Sequence, residues 1–288
     1  MGLKLSPHCI PCFQEQTLQA VRFINGDEDL QEHVLREVMK RLIELKWDLK
    51  PIEIANEVHK VVRRVTRVND PYETVKKSSN DLFLTLYPRL KTIVEESGTP
   101  LRTAVRLAIA GNIIDFGALR GYDLENTIRE VSERNFAIDD YWRFKTKLNE
   151  ANTLLFFADN AGEIGFDKLF IEVILKEKDF KRIGFVVKGG PIINDATLED
   201  ALYLGLDEIP EINFLKISNG EEGTGPKISS RDVRRWIKEY DLVISKGQGN
   251  YEGLGEFNEI FFALIVKCHV IASHLGVNVK DIIFKHNP

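Results

Sequence analysis

Thr153-Leu-Leu-Phe-Phe-Ala158-Asp159-Asn160-Ala161-Gly162-Glu163 is the stretch on which the fold turns. A short unbroken apolar run followed by turn-forming residues predicts a strand buried on both faces. The residues from Phe166 to Lys176 then read as a helix. Outward from this unit the texture repeats. Further strands are expected at Arg182 to Val187, Glu211 to Ile217, Leu242 to Ser245 and Ile260 to Lys267, with helices at Asn194 to Leu204, Ser229 to Tyr240 and from Val270 onward. Strands separated by helices must mostly run parallel, because a parallel pair needs a crossover connection.

Upstream the periodicity changes. Val34, Val38, Leu42 and Leu45 recur at helical spacing, and breaks fall at Pro51, Asn69-Asp70-Pro71, Ser97-Gly98-Thr99-Pro100 and Gly121. No convincing strand is visible there. The expected architecture is a three-layer α/β/α, mostly parallel sheet over residues 152–288, preceded by a helical domain over 1–151.

The 288 residues are 43% hydrophobic and 29% charged, enough apolar content for one large core or two modest ones. No apolar run reaches the roughly 18 residues that would cross a bilayer, and the first residues lack the pattern of a signal peptide. A cytoplasmic protein without a membrane partner is expected. The net charge of −5 argues against nucleic acid as a partner. The pattern of the chain leaves the oligomeric state open.

In open parallel sheets ligands bind beyond the carboxyl ends of strands. Here those places are polar: Asp159 to Glu163 after the first strand, Lys188-Gly189-Gly190-Pro191 running to Asn194-Asp195 after the second, and Lys246-Gly247-Gln248-Gly249-Asn250 after the fourth. Carboxylate and amide oxygens suit a hard divalent cation. Lysines and close-approaching glycine amides suit a phosphate. Each motif alone also reads as an ordinary cap or turn; the signal is their coincidence. Gly111-Asn112-Ile-Ile-Asp115, at the end of an apolar helix, reads either as a helix C-terminus or as polar groups lent to the cleft.

Together these motifs, in order along the chain, resemble the damage-control phosphatase family, first catalogued as domain of unknown function 89. Cys9-x-x-Cys12 and Lys267-Cys268 resemble its archaeal and bacterial subfamily. The resemblance implies a divalent metal (Mn, Ni, Co or Mg) on Asp159, Asn160 and Asp195. It also implies a substrate pocket lined by Asn112, Asp115, Glu163 and Lys246, with Lys246 on the phosphate. Lys188, Gly189, Gly190 and Gly247 are further candidates for holding the anion. The implied activity is hydrolysis of a small phosphorylated metabolite, such as a sugar phosphate. Water or Asp159 itself would be the nucleophile.

Two other readings stand beside it: an S-adenosylmethionine-dependent carboxyl methyltransferase and a non-catalytic phosphometabolite-binding module. The sequence lacks the glycine-rich loop the first would want after its opening strand. The spacing of Cys9 and Cys12 allows both sulfurs to face one ion. Packing of the helical half over the sheet edge predicts that they meet Cys268, as a second metal site, a redox site or three unrelated thiols.

Overall fold

The computed structural model describes residues 4–119 and 124–288. It opens on α1 (Cys9–Phe23), α2 (Glu28–Glu44) and α3 (Pro51–Thr66), followed by α4 (Glu73–Glu96), α5 (Pro100–Leu119) and α6 (Leu124–Glu133). Local chemistry sets the starts. Asp27 caps α2 by accepting from the Leu30 amide, and Pro51 supplies a preset first turn for α3.

Then come β1 (Ile138–Asp139), α7 (Tyr141–Glu150), β2 (Thr153–Phe157), α8 (Glu163–Glu177), β3 (Arg182–Lys188), α9 (Leu198–Tyr203) and β4 (Ile212–Ile217). The chain ends with α10 (Arg231–Glu239), β5 (Leu242–Lys246), α11 (Gln248–Leu254), β6 (Ile260–Ile265), α12 (His269–Leu275) and β7 (Ile282–Asn287). Among the described residues, no helix is long and apolar enough to cross a membrane.

The strands form one seven-stranded sheet in the order β1-β7-β6-β5-β2-β3-β4. Every pairing is parallel except β6 with β7. Alternation along the strands divides the apolar side chains between two faces. Leu154, Phe156, Phe185 and Ile244 pack with residues of α4, α5, α7 and α8, such as Leu90, Val105, Phe144 and Ile171. Leu155, Phe157, Val243 and Phe262 pack with Val233 and Ile237 of α10, Leu254 of α11 and Ile271 of α12. The result is the expected three-layer α/β/α arrangement. A third core, built on Phe13, Val21, Val38, Ile54 and Val62 of α1, α2 and α3, also takes in Tyr72, and Ile193 of the loop after β3 packs against it.

The structure departs from the sequence reading in four places. A strand, β1, lies inside the stretch expected to be helical; with two residues it is too short to show a period. An antiparallel strand, β7, closes the chain. Gln248 to Asn250, expected in a loop, opens the helix α11. The helix expected to stop near Gly111 continues as α5 to Leu119, so Gly111 and Asn112 stand within it rather than at its cap.

The three N-terminal helices lie over the carboxyl edge of the sheet. Lys50 bonds to the Gly253 carbonyl at 3.2 Å and to Glu256 at 3.0 Å. Arg63, buried at the end of α3, bonds to the Pro191 carbonyl at 3.0 Å and pairs with Glu221 at 2.6 Å.

Candidate active site

The loops after β2 and β3 are zipped together by backbone bonds. Ala196 N–H donates to the Asp159 carbonyl at 2.8 Å and Ala161 N–H to the Asn194 carbonyl at 2.9 Å. Asn160 and Asp195 form an isolated antiparallel bridge between them. Two glycines make the approach possible. Gly162, at φ 73°, lies against Ser79 of α4 and donates its N–H to Asn80 Oδ1 at 2.7 Å. Gly247, at φ 80°, has the Asp159 carboxylate where a side chain would start: a Cβ there would lie 2.1 Å from Asp159 Cγ.

A polar network runs under this junction. The Asn160 side-chain N–H₂ donates to Asp159 Oδ2 at 2.8 Å and to Glu163 Oε2 at 2.9 Å. Lys246 Nζ donates to Glu163 Oε1 at 2.9 Å, to Asp167 Oδ1 at 2.6 Å and to the Ala108 carbonyl at 2.7 Å. Beside the network Lys188 Nζ stands 3.3 Å from Asp195 Oδ2.

Burial first, and then the charge of Glu163, pushes the Asp159 carboxyl up to about 8. Burial raises Asp195 as well, against the pull of Lys188. Burial works the same way on Glu163, but there the Lys246 charge and hydrogen bond win and hold its carboxyl low. Asp167 rises to about 7, again through burial. Burial is thus the chief cause of the raised carboxyls, and the nearby lysines offset it in full only at Glu163.

Asp159, Asn160 and Asp195 open onto a cavity of about 820 Å³ under α1 and α3. Its far wall carries Phe13, Ile52, Ala55 and Val270, and Lys188 and Lys267 reach it from β3 and the end of β6. Cys9, Cys12 and Cys268 line the same cavity with His8, His269 and Glu252. Burial, then neighbouring acids, raises the thiol pKa of Cys9 and of Cys12, and each feels Cys268. The three thiols are free. Among the described residues, no three His, Cys, Asp or Glu side chains are gathered so as to hold an ion by themselves. A cation between Asp159 and Asp195 would take a further oxygen, and the Asn160 amide is a side chain at that junction that could supply it. The donor set fits such an ion: two carboxylates at one junction, both raised chiefly by burial, one amide, and a glycine where any side chain would intrude.

Several expected roles change in the structure. Lys246, assigned to the phosphate, is wholly buried, and its three N–H groups are all donated to protein acceptors, leaving none for an anion. Gly189 and Gly247, assigned to anion-binding amides, donate those N–H groups to Ile217 and Ala263 carbonyls. Gly189 and Gly190 line a separate cavity of about 670 Å³ with Lys76 and Thr197. The side chains of Asn112 and Asp115 lie outside the described residues. The sequence reading quoted Lys267 only in the subfamily motif and gave it no role at the site, although its charge acts on Asp159, Asp195 and Glu163; it missed Asp167 altogether.

Residues 5–283 match the model of the damage-control phosphatase ARMT1-like domain. The chain belongs to this family. Two damage-control phosphatases are similar to this member over nearly all of both chains. One, from Archaeoglobus fulgidus, is 33% identical over 98% of this chain and 99% of its own. The other, PH1575 from Pyrococcus horikoshii, is 30% identical over 96% of this chain and 95% of its own. An uncharacterised protein of Methanocaldococcus jannaschii is 33% identical over 97% of this chain and 94% of its own. The crystal structure of PH1575, described as a DUF89 family protein, superposes with a TM-score of 0.85 at 28% identity, over 99% of this family member and 100% of that chain.

Proposed function

We propose that the chain is a metal-dependent phosphatase of small phosphorylated metabolites, in the subfamily marked by the N-terminal C-x-x-C. The observation that carries this reading is the junction of Asp159, Asn160 and Asp195 at the mouth of a cavity large enough for a metabolite. Relatives named damage-control phosphatases support the reaction class.

Asp159, Asp195 and the Asn160 amide oxygen hold the cation. When bound, a hard divalent ion supplies Lewis-acid stabilisation of phosphoryl charge. Lys188 and Lys267 are the ammonium groups at the cavity wall, and they take the phosphate role first assigned to Lys246. Phe13 of α1 with Ile52 and Ala55 of α3 gives the cavity an apolar wall beside the reacting group. Asp159, raised toward neutrality by burial, accepts and holds a proton at its carboxylate when no cation is present.

The test is a panel of phosphometabolites, sugar phosphates among them, given to metal-stripped protein with Mg, Mn, Co or Ni added back singly. Phosphate release that Asp159→Ala and Asp195→Ala abolish is the expected result. No release with any ion would overturn the reading; methyl transfer from S-adenosylmethionine would replace it with the other enzyme class.

A further inference from the structure

We propose that Asp167 is a positioning residue of this site: acting through Lys246 and Glu163, it fixes the Asn160 side-chain amide so that its oxygen is left for the cation. The inference rests on the reading of Asp159, Asn160 and Asp195 as the metal ligands.

Asp167 lies one helical turn beyond Glu163 on α8, so both carboxylates share a face. Lys246 comes up between them from the end of β5. Lys246 and Asp167 have no exposed surface and Glu163 almost none. Lys246 has three N–H groups and gives one to each carboxylate and one to Ala108. Its charge is thereby divided, and Glu163 keeps Oε2 for the Asn160 amide at 2.9 Å.

That amide donates to two carboxylates, Asp159 and Glu163. With its nitrogen committed to these two carboxylates, the amide keeps its oxygen as an acceptor that neither of them uses. Without the Asp167 charge, Lys246 would draw on Glu163 alone and pull its second oxygen from Asn160. Outer partners of this kind orient the groups that touch the ion.

The experiment is calorimetric titration of Mn²⁺ into the metal-stripped full chain. The proteins are wild type, Asp167→Asn, Glu163→Gln, the double variant and Asp159→Asn, each checked for fold by circular dichroism. Asp167→Asn is expected to weaken Mn²⁺ binding about 10-fold or more. The double variant is expected to be no weaker than Glu163→Gln, because both act through one path. Wild-type affinity in Asp167→Asn, or additive losses in the double variant, would overturn the inference while Asp159→Asn still lost the ion. An Asp167→Asn chain that does not fold makes the residue structural and overturns it as well. Asp159→Asn binding like wild type would instead remove the metal reading, and this inference with it.

Discussion

Removing the Asp159 charge should change how the metal-free protein responds to pH. Burial, with Glu163 beside it, moves this carboxyl from 3.8 up to about 8 in the folded chain. An acid raised in the native state stabilises it fully only below the unfolded value, and that stability is lost as pH climbs to the folded value. The buried His59 ring has the opposite sign. Burial lowers it from 6.5 to about 3, so it adds stability with rising pH only up to 6.5. From pH 6.5 to 8, Asp159 should therefore cost about 2 kcal/mol, at about 1.4 kcal/mol per pH unit.

Asp159 keeps a partial opening onto the cavity, and screening by water brings the expected loss to about 1 kcal/mol. Urea unfolding in chelator at pH 6.5, 7.2 and 8 measures it. Asp159→Asn should gain on wild type by that amount across the window. Asp167 and Glu252, both raised to about 7 by burial, lose stability in both proteins and cancel in the difference. A constant or shrinking difference would show that burial does not raise Asp159.

Gly247→Ala should cost about 2–4 kcal/mol in urea unfolding, since it places a Cβ at φ 80° against the Asp159 carboxylate; a loss below about 1 kcal/mol would mean the carboxylate moves freely aside. Lys188→Met removes the ammonium 3.3 Å from Asp195 and should raise KM for a phosphoester about 10-fold without weakening Mn²⁺. Weaker ion binding in that variant would make Lys188 a support of the metal site instead. Cys12, the exposed thiol, has a raised pKa, so iodoacetamide should label it slowly at pH 7 and faster toward pH 9. Labelling should block turnover, and a phosphoester with metal should protect; full activity in labelled protein would separate the thiols from substrate.

The sheet was readable where both faces are buried: β2, β3, β5 and β6 announce themselves as apolar runs. β7 ends in Lys285, His286 and Asn287, whose polarity hides a strand that pairs on both sides. α11 was hidden by Gly249 and Gly253, residues that read as a turn. The meeting of Asp159, Asn160 and Asp195 followed from their places after adjacent strands. The misassignment of Lys246 was avoidable. Alternation along β5 sets Lys246 on the same face as Leu242 and Ile244, toward the core, while Asp167 follows Glu163 by four residues on α8. What periodicity could not supply is the depth of that face, because charged residues seldom lie there unless paired.

The core built mainly on α1, α2 and α3 gives the cavity walls of two origins. Asp159, Asn160 and Asp195 follow strands of the sheet, whereas part of the cavity wall, Phe13, Ile52 and Ala55 among it, comes from helices of that bundle. Changes at Phe13, Ile52 or Ala55 would thus reshape the cavity without touching the strands that lead into Asp159 and Asp195.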